Sequence, residues 1–171
     1  MRIGVLTVSD RAAAGAYPDR SGPALREMLA AVGNAEVVRY AIVADCADEI
    51  RKTLIAWADD DHLDVILTTG GTGFGPRDIT PEVTRLVIER EAPGLVFAML
   101  SQSLSVTPHA MLSRPVAGIR GGSLIVNLPG SPKAACENLS SILPALPHAV
   151  DLLRGKPMTD SDHAAAPRPS E

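Results

Sequence analysis

Residues 68–82 read TTGGTGFGPRDITPE, with four glycines among the six residues from Gly70 to Gly75. A loop that only turns needs one or two; more let the main chain approach a ligand closely and direct its N–H groups at an anion. The apolar residues 65–68 read as a buried strand entering this loop. Thr80, Pro81 and Glu82 read as a helix start, with Val83, Leu86 and Val87 turned inward. Strand, glycine loop and helix N-terminus in succession make a phosphate cradle. It is not a Walker A loop, because no Gly-Lys-Ser/Thr follows, nor GxGxxG, because Pro76 stands where the last glycine belongs. For the glycines taken alone, the competing reading is a tight connection between strand and helix.

The alternation continues in both directions. Residues 3–8 form a short apolar run that delivers Ser9, Asp10 and Arg11 to a loop. Leu25, Met28, Leu29 and Val32 recur at helical spacing over 23–32, with Pro23 in the first turn and Gly33 as the stop. Residues 37–43 read as a strand, after which Asp45 stands at an N-cap position ahead of Ala47, Ile50, Leu54 and Trp57. A helix is expected over 93–103, strands over 110–117 and 123–128, and a final helix over 133–153 that Pro144 and Pro147 kink or split. Residues 156–171 lack apolar periodicity and read as a mobile tail, leaving 1–155 as the folded domain.

This pattern predicts an α/β fold: a mainly parallel sheet with helices on both faces. Ligands in such sheets bind at the carboxyl ends of strands where the strand order reverses. The loops SDRAAAG, VAD, TTGGTGFGPRD and LPGSP all follow strands and are expected to converge there.

Composition sets outer bounds. A chain of 171 residues is the size of one domain, and such a domain buries roughly 70% of its unfolded surface. A net charge of −4 offers no basic excess for gripping nucleic acid. Cys46 and Cys136 lie far apart, and four scattered histidines have no metal-ligand spacing, which argues against a disulfide scaffold or a zinc site. No leader-like segment or bilayer-length apolar run occurs, so no membrane partner is expected and the cytoplasm is the expected compartment.

Within the loops, Asp78 carries the most chemistry. A carboxylate beside a phosphate cradle repels the ligand unless a cation lies between them, and Mg²⁺ is commonly held by one or two carboxylates plus substrate phosphates. Asp45 is the candidate second carboxylate, with a simple N-cap as its alternative. For Asp78 the alternative is an ion pair with Arg77 or a turn-stabilising hydrogen bond. Ser9, Ser113 and Arg114 are candidate ligand contacts, each with a turn or surface ion-pair alternative. Trp57 and Met99 lie on inward helical stripes and read as core.

Taken together, TVSDRAAAG, TTGGTGFGPRDITPE, PGL at 93–95, SLSVTPHAMLSR at 103–114 and AGIRGGSLIVNLPGSPKA at 117–134 resemble the molybdopterin adenylyltransferases. These are the MogA-type proteins of molybdenum-cofactor biosynthesis, found also as the G domain of plant and animal fusion proteins. The likeness runs in order to about Gly155. It implies a three-layer αβα sandwich, usually trimeric, that adenylylates molybdopterin with Mg-ATP and releases pyrophosphate before a molybdotransferase inserts the metal. Matched by position, the family's two functional aspartates fall on Asp45 and Asp78, its glycine loop on Gly70, Gly71, Thr72 and Gly73, and its substrate-contacting serine on Ser113. Arg114, Ser9 and the loop residues Pro129, Gly130 and Ser131 complete the candidate site. Ala44 departs from the proline that relatives often carry. The competing functions are a MoaB-type paralogue and a molybdopterin carrier or scaffold without chemistry.

Overall fold

A computed structural model describes residues 1–156. Nearly all of the tail expected over 156–171 lies outside the described residues. The strands are β1 Arg2–Val8, β2 Glu36–Val43, β3 Val65–Thr69, β4 Arg90–Glu91, β5 Ala117–Arg120 and β6 Ser123–Leu128. The helices are α1 Asp10–Ala13, α2 Ser21–Ala30, α3 Ala47–Ile55, α4 Thr80–Val87, α5 Pro93–Val106, α6 Pro132–Ile142 and α7 Leu146–Leu153. Among the described residues the strands form one sheet in the order β2-β1-β3-β6-β5-β4. β2, β1, β3 and β6 run parallel; β5 is antiparallel to β6 and β4 to β5.

Side chains of a strand alternate between faces, and the two cores follow that alternation. Ile3, Val5, Val65, Leu67, Leu124 and Val126 pack with Leu25 and Leu29 of α2, Met99 of α5, Leu139 of α6 and Val150 of α7. Leu6, Val8, Ile66 and Ile125 turn the other way, onto Ile50 and Leu54 of α3, Val83 of α4 and Trp57. The result is a three-layer αβα sandwich, and Trp57 and Met99 are core residues as expected. Gly4 makes room for this packing, since a Cβ there would lie 2.6 Å from the Trp57 ring and 2.7 Å from Leu63.

The chain leaves β1 for β2 on one side and returns to β3 on the other, so the order reverses between β1 and β3. The crevice of the fold therefore opens where Ser9 follows β1 and Gly70 follows β3.

Two segments depart from expectation, and a third behaves as expected. Residues 110–117 do not form a strand: a 3₁₀ helix covers Pro108–Leu112, and β5 begins only at Ala117. Thr107 Oγ1 accepts the His109 N–H at the start of that turn, Pro115 lacks a ladder donor, and the Arg114 N–H is spent on the Thr72 carbonyl at 2.9 Å. Directly after β1, one helical turn, α1, is capped by Ser9 Oγ accepting the Ala12 N–H. The final helix does split at its prolines, with a 3₁₀ turn over Leu143–Ala145 between α6 and α7.

Candidate active site

The loops after β1, β2, β3 and β6 meet at the carboxyl end of the sheet. Asp45, beyond β2, does not cap α3; Cys46 occupies the N-cap position and no side chain caps it. Asp45 turns back to β1 instead. Its Oδ2 accepts the Asp10 N–H at 2.8 Å, and Asp10 Oδ1 accepts the Asp45 N–H at 3.0 Å. Arg77 closes over this pair with a forked contact on Asp10, Nε at 2.9 Å and Nη2 at 2.8 Å. The alternative reading of Asp78 as an ion-pair partner of Arg77 does not hold, because Arg77 instead links the glycine loop to Asp10, just after β1.

The glycine loop is shaped around the two carboxylates. Gly70 and Gly71 have φ of +103° and +63°, a region L side chains rarely adopt. A Cβ on Gly70 would strike the Val8 carbonyl at 2.2 Å; one on Gly71 would lie 2.3 Å from Thr80 Oγ1 and 3.2 Å from Asp45 Oδ1. At both Gly73 and Gly75 a Cβ would stand 2.9 Å from Asp78 Oδ2. That oxygen accepts the Gly75 N–H at 2.8 Å, so the turn-stabilising bond offered as the alternative reading of Asp78 is present. Two of the glycines therefore supply the turn, and two more leave room for Asp78.

Electrostatics mark the same spot. Burial, and then the charges of Asp10 and Asp78, push the Asp45 carboxyl above its ordinary value, against the pull of the Asp10 N–H and Arg77. Asp10 is held below the ordinary carboxylate value, first by the Arg77 hydrogen bond and then by the Asp45 N–H. Asp45 Oδ1 and Asp78 Oδ1 accept no hydrogen bond among the described residues. Thr80 Oγ1, at the Gly71 turn, is buried without a partner. Two carboxylates that each keep one oxygen free of hydrogen bonds are hard-oxygen donors of the kind that Mg²⁺ accepts. No group of three or more His, Cys, Asp or Glu that could hold a metal occurs among the described residues. Mg²⁺ does not need one, because it keeps waters and takes further oxygens from substrate phosphates.

Other candidates divide by what they touch. Ser113 Oγ lies 3.4 Å from Thr72 Oγ1 and lines a cavity of about 210 Å³ with Pro129, Ala110 and Asn138. Ser9 and Gly130 line a second cleft of about 250 Å³ on the other side of the loop, with Thr69 and Gly70. Thr69 Oγ1 donates to the Pro129 carbonyl at 2.6 Å, and Ser21 Oγ to that of Gly130 at 2.9 Å, so the LPGSP loop is a shared wall. Ser131 begins α6 without a side-chain cap bond. Arg114 is a brace: Nε donates to Gly73 O at 2.9 Å, Nη2 to Asp78 O at 2.7 Å, and Nη1 pairs with Glu82.

The profile of a family described as "Probable molybdopterin binding domain" matches residues 4–148. The chain belongs to this family. The molybdopterin adenylyltransferase of Helicobacter pylori (strain J99) is 48% identical over 159 residues, covering 92% of this chain and 90% of that protein. The gephyrin of Dictyostelium discoideum is 46% identical over 166 residues, which are 91% of this chain but 23% of that protein's length. Among solved structures, the molybdopterin biosynthesis enzyme MoaB of Thermus thermophilus superposes with a TM-score of 0.86 at 52% identity, covering 92% of this chain and 99% of that one.

In this molybdopterin-binding domain, sequence reasoning missed Thr80 as a site residue and the latch formed by Asp10 and Arg77. The signal for Thr80 was its place two residues after Asp78 in a loop that already points at an anion. Asp10 and Arg77 carried no local sign of each other, because 67 positions separate them.

Proposed function

We propose that this protein transfers the adenylyl group of Mg-ATP to the terminal phosphate of molybdopterin in molybdenum-cofactor biosynthesis. The observation that carries the reading is that Asp45 and Asp78 each keep one carboxylate oxygen free of hydrogen bonds beside glycines of the same loop. An oxygen of the molybdopterin phosphate attacks the α-phosphorus of ATP, a new P–O bond forms, and the bond to the β-phosphate oxygen breaks to release pyrophosphate. The nucleophile is already anionic near neutral pH, so no general base is required. Catalysis then consists of positioning and charge stabilisation.

Each residue set has a part. Asp45 and Asp78 hold Mg²⁺, which neutralises phosphate charge when bound. N–H groups of Gly71, Thr72 and Gly73 face the phosphates, while that of Gly70 is spent on the Leu128 carbonyl at 3.2 Å and that of Thr80, at the start of α4, on the Gly71 carbonyl at 3.1 Å. Ser113 orients the molybdopterin side, with Ser9, Pro129, Gly130 and Ser131 walling the substrates, while Arg114 fixes the loop. The family resemblance and the named adenylyltransferase relative support this assignment.

A homotrimer fits the apolar outer face of α5, where Met99 is the buried residue while Phe97 is 75% exposed; Leu86 of α4, read as inward from the sequence, is 80% exposed. The site of action is the cytoplasm, in keeping with the lack of a membrane-spanning helix among the described residues, and the product passes to a molybdotransferase. The test is incubation with molybdopterin and Mg-ATP. Metal-dependent pyrophosphate and adenylyl-molybdopterin in equal amounts support the reading. Molybdopterin binding without pyrophosphate favours the MoaB-type or carrier reading, for which the similarity to the Thermus MoaB is the specific observation.

A further inference from the structure

Four arginines stand near the carboxyl ends of β1 and β3, and two of them are already committed. Arg77 is forked on Asp10 and Arg114 on the loop carbonyls and Glu82. Arg11 and Arg20 pair with no carboxylate among the described residues; both lie against one ring. The Arg11 guanidinium carbon is 4.7 Å from the Tyr17 ring centroid and that of Arg20 is 5.4 Å away. Such contacts hold a guanidinium in place without consuming its N–H donors.

Tyr17 and Arg20 line the cleft of about 250 Å³ that also contains Ser9 and Gly70, and Arg11 joins them through the ring. The hydroxyls of this cleft are largely spent on the protein. Thr7 Oγ1 donates to Asp19 at 2.6 Å, Ser21 to Gly130 O and Thr69 to Pro129 O. The Asp19 carboxylate on the same lining is taken up by Thr7, Tyr40 and the Ser21 and Gly22 N–H groups, which leaves the Arg20 fork on the wall and the Arg11 fork on the same Tyr17 ring as the cationic donors for a ligand, on a chain of net charge −4. Planar forks of this kind match phosphate oxygens two at a time.

We propose that Arg11 and Arg20, held on Tyr17, form the subsite for the polyphosphate end of the nucleotide, the part that departs as pyrophosphate. The inference rests on the adenylyltransferase reading for its ligand, and goes beyond it by assigning a subsite and a nucleotide preference to residues outside the carboxylate cluster.

The test is calorimetric titration of the full chain with ATP, AMP and inorganic pyrophosphate, each with Mg²⁺, alongside molybdopterin. The wild-type protein binds ATP about tenfold or more tightly than AMP and binds pyrophosphate measurably, because charge-assisted forks are lost with AMP. Arg11→Gln/Arg20→Gln brings ATP to within about twofold of AMP and weakens pyrophosphate about tenfold, leaving AMP and molybdopterin unchanged. Tyr17→Leu, which keeps both charges but removes the ring, gives an intermediate loss. An unchanged ATP-to-AMP ratio in the double variant overturns the proposal, as does a wild-type protein with no preference for ATP or no pyrophosphate binding. A loss confined to molybdopterin also overturns it, assigning the wall to the pterin's phosphate. A product assay run in parallel separates the two claims. Product with an unaltered nucleotide ratio retires the subsite alone, whereas arginine-dependent pyrophosphate binding without product retires the activity alone.

Discussion

Asp10 and Asp45 exchange backbone-to-carboxylate hydrogen bonds at 2.8 and 3.0 Å across the ends of β1 and β2. This reciprocal pair fixes one oxygen of Asp45 and leaves the other at the Gly71 turn. Arg77 then ties the glycine loop to the same point through Asp10.

Asp10→Ala removes the Asp45 N–H acceptor and the Arg77 partner together. The Arg77–Asp10 ion pair is exposed, with side-chain accessibilities of 65% and 42%, so solvent screening leaves it a small share of stability. Turnover should suffer far more, by about 10–100-fold, because misplacing a positioned group costs rate. Steady-state kinetics beside urea unfolding would check this; equal proportional losses in both would contradict it.

Two glycine substitutions should separate strain from occupancy. Gly71→Ala forces a side chain to φ +63° and should cost roughly 1–3 kcal/mol of stability as well as activity. Gly73 is absent from the positive-φ positions, and its added Cβ meets only Asp78 at 2.9 Å and beyond. Gly73→Ala should therefore unfold much like wild type yet lose activity, as measured by thermal melts and product assays on both variants.

Arg114 holds the loop through a planar fork onto Gly73 O, Asp78 O and Glu82. Arg114→Lys keeps the charge but cannot span three acceptors. The expected result is a stability loss of about 1–3 kcal/mol and a lower kcat that added Mg²⁺ does not restore. Wild-type kinetics in the lysine variant would show that the charge alone mattered.

Tyr40, which donates to Asp19 beside the arginine-lined cleft, gives a pH prediction. Burial first, then its hydrogen bond to Asp19 and that carboxylate's charge, push the phenol from 10.0 to about 12, with the Tyr40 hydroxyl donating to Asp19 Oδ2 at 2.6 Å. The folded value is raised, so the stabilisation is complete below about pH 10 and is lost as pH rises toward 12. An ultraviolet tyrosinate titration should show a phase near 12 that Tyr40→Phe removes.

The sheet was legible because strands buried on both faces read as short, mainly apolar runs, and residues 3–8, 65–68 and 123–128 do so despite Thr7, Thr68, Ser123 and Asn127. The carboxylates were legible as well, since each follows a strand or sits in the glycine loop. The segment before β5 was not. Its residues look extended, but Arg114 spends its N–H on Thr72, and the Val116 N–H goes to the side chain of Asn127 at 3.1 Å. Asn127 is itself buried and donates to Thr68 and Thr84, both at 2.9 Å. Such contacts between distant residues, like the Arg77–Asp10 latch, leave no periodic trace in a sequence.

The central claim is that Asp78 acts through its free oxygen on a metal–phosphate complex. The most direct measurement compares wild type and Asp78→Asn for adenylyl-molybdopterin and pyrophosphate formation over a Mg²⁺ titration, with unfolding curves run on both. The account predicts an Asp78→Asn protein that stays folded, since an amide oxygen can still accept the Gly75 N–H, and whose turnover is abolished at every Mg²⁺ concentration. A folded variant turning over at the wild-type rate with the same metal dependence would contradict it.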